Sequence, residues 1–494
     1  MEEGLSAPSL KPPLNNSSAP RDKEPKELEK LLKWQEERIT RKLRGEYESA
    51  VMYLQETVND NLKTPVNISA VRVEGAHGTR KSFLGSIIDP ILASSSHQTS
   101  ESQSNLESVL HTSRKIGDLL YRTDLFANVE AKIERAQDPL AANGDVDIVF
   151  KAKERGKWYL SSATELGNNE GSASASARVR NVFGGAETFS ANVSLGTKTR
   201  RSFTASLNAP ITPDLRTFGE LSVYNLERDQ TSYASCFEGL RGLKAVIKGG
   251  NLGNGLHEMG YEVVHRHIRD LLPTASISMR QAAGETTKSS ISHTYTRDTR
   301  DDRIAATKGS YLKLFHEFAG LGGDASFYKT EVEGQVSRPI TKDLSFSVAA
   351  KTGFMMALNQ PLLFSDKFQV GGPTSVRSFK ANGLGPHDGP DSTGGDIYYS
   401  AGASLISNIP NKPHWPLKLH TWVNAGRLDL VDRTRPIADN VKDLLARPSI
   451  SAGLGLIYRF DPVRAELNFG VPLVASRSDG TRKGIQVGIG LEFL

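Results

Sequence analysis

From about Lys157 to its C-terminus the chain repeats one pattern, runs of roughly ten residues in which apolar and polar side chains alternate. Phe189, Ala191, Val193 and Leu195 alternate with Thr188, Ser190, Asn192 and Ser194. The pattern returns at 344–351, 450–460, 463–471 and 485–493. Alternation with period two is the signature of a strand with two different faces. A soluble sandwich and a membrane barrel both give it, and length separates them. Sandwich strands run near five or six residues, whereas a tilted membrane strand needs about 9–11. The polar face here carries Lys, Arg, Glu and Asn, which suits a wet lumen. About sixteen such segments can be counted, and an even number fits a closed antiparallel barrel. Closure matters because an open edge in lipid leaves backbone groups unpaired at several kcal/mol each.

Composition narrows the rest. No stretch approaches the ~18 consecutive apolar residues of a spanning helix. The 44 glycines keep no collagen spacing, and Cys236 is the only cysteine. An intrachain disulfide, a cysteine zinc site and a CxxC redox pair are therefore excluded. The net charge of +5 is mild, and no basic block with interleaved aromatics suggests nucleic acid. Met1-Glu2-Glu3 opens neither a secretory signal nor an Arg-rich presequence, so no route through a bacterial inner membrane is expected.

The first third has a different grammar. Residues 1–26, made of Pro, Ser, Asn and charge, are expected to be disordered. Leu28, Leu31, Leu32, Ile39, Leu43, Tyr47, Val51, Leu54 and Val58 recur in steps of three and four, which predicts an amphipathic helix over 27–60. Residues 65–155 read as a compact β-α-α-β-β unit. A helix is predicted over 81–91, and 93–104 reads as an insertion. Ser104-Asn105-Leu106-Glu107 reads as a capping box opening a second helix, and Asn143-Gly144-Asp145 as a hairpin turn.

One long loop, 357–395, interrupts the strands. It contains Val370-Gly371-Gly372-Pro373-Thr374-Ser375-Val376-Arg377-Ser378-Phe379 and then Asn382-Gly383-Leu384-Gly385-Pro386. Val376-Arg377-Ser378-Phe379 resembles the conserved-arginine loop of the outer-membrane assembly factor superfamily, whose bacterial member is BamA. The family motif is Val/Ile-Arg-Gly-Phe/Tyr, and Ser378 stands here in place of its Gly. The flanking sequence resembles the mitochondrial branch of fungal type, the core subunit of the sorting and assembly machinery. Residues 65–155 resemble a POTRA domain, with Phe126 and Val129 at its Phe-x-x-Val. Trp422-Val423-Asn424-Ala425-Gly426 is similar to the bacterial Phe-x-Asp-x-Gly, with Asn424 replacing the acid. Gln486-x-Gly488-x-x-Leu491-x-Phe493 is similar to the mitochondrial β-signal.

The resemblance implies a barrel over 157–494 that inserts β-barrel precursors into the mitochondrial outer membrane. Its POTRA-like domain would face the intermembrane space, and peripheral machinery subunits and the bilayer would be its other partners. The first strand, with Trp158 and Leu160, would pair with the last as a lateral gate. Arg377 would fold into the lumen and meet a wall residue, with Asn424 and Glu466 the lumen-facing candidates, while its loop braced the wall opposite the seam. No enzymatic activity, cofactor or metal is expected. His265 and His267 can share a strand face but lack the third ligand a metal site needs, and Gly320–Gly323 lacks a phosphate-loop ending. Two other functions stay open at this point. An exporting relative would keep both the barrel and the POTRA-like unit. A passive porin-like channel would show conductance that an added β-signal peptide leaves unchanged.

Overall fold

The computed structural model describes residues 26–97, 105–139, 141–142, 144–167, 170–410, 415–460 and 463–490. Residues 1–25 of the tail expected to be disordered over 1–26, most of the expected insertion (98–104), Asn143, Leu491 and Phe493 lie outside them, whereas Lys26, counted in that tail, opens a helix. By contacts the chain divides into two compact units. One holds residues 1–70, 98–111 and 135–147, and the other holds 71–97, 112–134 and 148–494.

The N-terminal elements are α1 (Lys26–Asp60), β1 (Asn67–Glu74), α2 (Lys81–His97), α3 (Leu106–Arg122), β2 (Phe126–Arg135) and β3 (Asp145–Glu154). The three strands form a sheet in the order β1-β3-β2. Just after α1, the Leu62 and Thr64 carbonyls accept from Glu107 and Leu106 at the start of α3. Two details differ from the sequence reading. Helix α2 runs through Pro90 to His97, so its last turns occupy what reads as the start of an insertion. The cap of α3 is shifted by one residue. Asn105 takes the capping position, and the Ser108 hydroxyl accepts from its backbone N–H at 3.2 Å. Ser108 thus does the work that the motif gives to Glu107.

The second unit is dominated by a 16-stranded antiparallel sheet. Its strands are β4 (Trp158–Gly167), β5 (Glu170–Arg180), β6 (Thr188–Gly196), β7 (Thr199–Pro210), β8 (Thr217–Asp229), β9 (Phe237–Asn251), β10 (Gly255–Arg269), β11 (Gly284–Asp298), β12 (Gly309–Gly323), β13 (Phe327–Pro339) and β14 (Leu344–Ala357). After a long loop carrying the small hairpin β15 (His387–Asp388) and β16 (Asp391–Ser392) come β17 (Ile397–Asn408), β18 (Leu417–Asp429), β19 (Ser449–Phe460), β20 (Val463–Val474) and β21 (Gly484–Gly490). Every strand pairs with its sequence neighbour, and β14 pairs with β17 across the hairpin. The first and last strands, β4 and β21, lie against each other, which closes the cylinder. Among the described residues the hydrogen-bonded order runs from β21 to β4 without joining those two.

Exposure along β20 is the inverse of a soluble protein. Glu466 and Asn468 are 1% exposed, whereas Leu467 and Phe469 are 46% and 61% exposed. The same inversion holds for Leu221 and Val223 on β8, Phe346 and Val348 on β14, and Leu454 and Leu456 on β19. A continuous exposed apolar band of this extent needs a medium that welcomes it, and hydrocarbon does so. No helix among the described residues is long and apolar enough to cross a membrane. The strands do the crossing, and the fold is a membrane β-barrel.

Candidate functional site: the lumen loop and the C-terminal wall

Sixteen strands enclose a lumen too wide for wall side chains alone to fill. The β14–β17 loop, 358–396, fills one end of it. Phe368, Val370, Val376, Phe379 and Leu384 are each at most 5% exposed and cluster with Phe327, Met355, Tyr398 and Leu428 from the wall. Apolar burial of this kind, at ~25 cal/mol per Å², makes the loop a packed part of the interior. The wall is shaped to receive it. A Cβ on Gly426 would sit 2.6 Å from the Val376 side chain, so the glycine of the Trp-Val-Asn-Ala-Gly segment is what lets Val376 dock on β18.

Arg377 is fully buried and meets three strands at once. Its Nε and Nη2 donate to the two Glu466 carboxylate oxygens at 2.9 and 3.1 Å. Its Nη1 donates to Asn424 Oδ1 at 3.1 Å. Ser451 Oγ on β19 donates to the Arg377 carbonyl at 2.6 Å. A bidentate guanidinium–carboxylate pair fixes orientation as well as position. The structure thus brings Arg377, Asn424 and Glu466 together. Asn424 supplies an oxygen, and Glu466, two strands away, supplies the charge. Around them Trp422 Nε1 donates to Asn468 at 3.0 Å, and Asn468 Nδ2 donates to Glu466 at 2.7 Å. Arg464 also contacts Glu466 and donates to the Ile304 carbonyl at 3.0 Å.

Ser378 has φ +66°, the left-handed conformation that the glycine of the family motif adopts at little cost. The turn is therefore kept with a serine in it. The next residues dock on the last hairpin. Ser378 N–H donates to Gln486 Oε1 at 2.9 Å, and Gln486 Nε2 donates to the Phe379 carbonyl at 3.1 Å. Phe379 bridges Thr481, Lys380 N–H donates to the Gly480 carbonyl, and Gly480 N–H donates to the Gly383 carbonyl. Residues 378–383 are in effect stitched to the turn that leads into β21.

The loop as a whole does reach the wall opposite the seam, but not through Arg377. Arg377 grips β18–β20, and its neighbours grip β21, which borders the seam. The far wall is held by a different residue of the loop, Asp366, which pairs with Arg266 of β10 at 2.7 Å, both side chains nearly unexposed. The reading of the sequence missed this pair. Alternation along β10 places Arg266 inward, but nothing in the local sequence points to a partner 100 residues away. It also missed the β11–β12 loop, whose Ile304, Ala305 and Ala306 are buried and whose Ile304 carbonyl accepts from Arg464.

The other expected positions are placed as follows. Trp158 and Leu160 sit on β4 with 73% and 77% exposure, facing outward. Gly488 pairs in register with Glu466 on β20. His265 and His267 share the outer face of β10, outside the lumen, and among the described residues no cluster of metal-ligating groups occurs.

Comparison with known proteins gives the same picture. Residues 181–493 match the Omp85 superfamily domain. A SAM50-like protein of Schizosaccharomyces pombe is 36% identical over 89% of this chain and 94% of its own length. The sorting and assembly machinery component 50 homolog of Homo sapiens is 30% identical over 79% and 84%. The crystal structure of BamA from Haemophilus ducreyi lacking POTRA domains 1–3 superposes with a TM-score of 0.70 at 17% identity. It covers 86% of this chain and 84% of that one, and it shows the shared fold.

Proposed function

The chain belongs to the Omp85 superfamily and, within it, to the SAM50 family, and we propose that it is the core insertase that folds β-barrel precursors into the mitochondrial outer membrane. The observation that carries this reading is the asymmetry of the ring. Among the described residues its two terminal strands are the edges of the hydrogen-bonded order, and the lumen loop fastens the hairpin that presents the last one.

Backbone groups in hydrocarbon must stay paired. A client strand can leave water only by adding to an edge that already offers a ladder, which is β-augmentation. The seam between β4 and β21 would supply that edge. The client's β-signal strand would pair there, and later hairpins would follow. Each exchanged pair keeps polar groups satisfied, so the energy comes from burial and sheet formation, with no nucleotide or cofactor. Gly488 and Gly490 place no bulk beside Glu466 and Arg464, so β21 would be held through Gln486 and its ladder with β20. The Arg377 lock would keep the C-terminal wall in shape while the seam moves. The role is one of assembly and not of catalysis. The POTRA-like domain would face the intermembrane space and receive precursors, and peripheral subunits of the sorting and assembly machinery would complete the complex.

The test pairs cysteines on β4, at Trp158 and Leu160, with cysteines in the β-signal strand of an imported precursor. Crosslinks that appear during import and vanish on completion are expected. Import that completes with no crosslink at any register would overturn the gate.

A further inference from the structure

On the outer face of the barrel a cleft of about 500 Å³ lies across β7–β10. Register builds it. One outward row runs Arg201, Glu227, Gly239, His267, and the row beside it runs Phe203, Asn225, Arg241, His265. Gly239 has no side chain, so its place in the row is a hollow walled by charged neighbours. The next outward row is wholly apolar, with Ala205, Val223, Leu243 and Val263. The cleft therefore lies on the rim of the hydrocarbon-facing band, at the end of the barrel that carries the lumen loop. Val193 and Leu195 line its side toward β6.

Two arginines set its chemistry. Arg201 and Arg241 are exposed and make no hydrogen bond or ion pair with any described residue. The other cation there, Arg269, already pairs with Glu227 at 3.2 Å, and His265 stands 3.8 Å from Glu285. The strands of Arg201 and Arg241 are separated by only one other, about 10 Å at ordinary strand spacing, so both guanidinia can reach a group seated over Gly239. At the rim of the apolar band a guanidinium costs little to place and stays free to take an anion, and phosphate oxygens match its fork. We propose that this cleft binds the phosphodiester headgroup of a bilayer phospholipid, with its acyl chains lying along the apolar row below. The geometry gives that ligand both of its halves, a cationic hollow for the head and an apolar track for the tails.

The test uses the purified full-length chain in nonionic detergent and native mass spectrometry with lipids of matched acyl chains. Wild-type protein should retain phosphatidylglycerol or phosphatidylcholine about tenfold better than diacylglycerol, which has the tails but no phosphate. The double variant R201A/R241A should lose that preference, and R201K/R241K should keep part of it. The heat-modifiable band on gels shows that each variant is folded. If R201A/R241A fails to fold, a phospholipid with a headgroup-proximal photocrosslinker, added to wild type, should label peptides from β7–β10. Equal retention of diacylglycerol, labelling spread evenly round the barrel, a folded double variant with unchanged preference, or capture of inorganic phosphate in place of lipid would each overturn the proposal.

Discussion

The two walls that meet at the seam are made of different material. The C-terminal wall, β18–β21, turns Trp422, Asn424, Arg464, Glu466, Asn468 and Gln486 inward, and all are buried under the lumen loop. The N-terminal wall, β4–β7, turns small hydroxyls inward. Ser161 meets Ser176 at 2.6 Å and Ser190 meets Ser206 at 2.8 Å, each bond joining neighbouring strands. One wall is tied through its side chains to a loop that is also anchored across the lumen at Arg266. The other is held by its backbone ladder and by side-chain contacts between neighbouring strands, apart from Arg180 at the end of β5, which pairs with Asp124 at 3.4 Å. The lesson concerns where rigidity is placed. A seam can open without loss of the ring if the strain is taken on one side, and the side chains assign the firm side to the C-terminal strands.

That contrast can be broken at four places, in falling order of effect. Arg377→Ala should cost the most, about 3–5 kcal/mol, because it strands Glu466 as a buried carboxylate with one partner fewer. The midpoint of urea unfolding, read from the heat-modifiable band, measures it, and a loss no greater than that of a serine on β6 would erase the difference between the walls. Gln486→Leu should cost about 2 kcal/mol through the Ser378 N–H and Phe379 carbonyl left unpaired. Hydrogen exchange should rise in 484–490 and stay unchanged in β5–β7. An even rise would mean that β21 is not held through the loop. Ser378→Gly should act in the opposite direction, gaining about 1 kcal/mol by relieving a left-handed serine. Ser190→Ala should cost least, a few tenths to about 1 kcal/mol, and a larger loss would show the N-terminal wall to be tied as firmly through its side chains as its neighbour.

Much of this was legible beforehand. Alternation in 418–424 and 463–471 fixed which side chains face inward, and with them the candidates Asn424 and Glu466. The arginine loop could be recognised because its glycines and Val376-Arg377-Ser378-Phe379 are local. The extent of α2 was not legible, because Pro90 reads as a stop although a helix can carry a proline when packing around it compensates. The cap of α3 slipped by one residue because both Ser104 and Asn105 are good caps, and the choice between them is made by the chain on either side.

By itself, then, the sequence determined the period and the inward and outward faces, which follow from steric rules that act within a strand; that the Arg377 loop enters the lumen was implied by its resemblance to the superfamily's arginine loop. Only the tertiary structure decided which wall each loop residue reaches. Arg377 meets Glu466 and Asp366 meets Arg266 because strand number and stagger set how far apart two inward positions lie across a closed ring. That distance belongs to the cylinder as a whole, and no local stretch of residues encodes it.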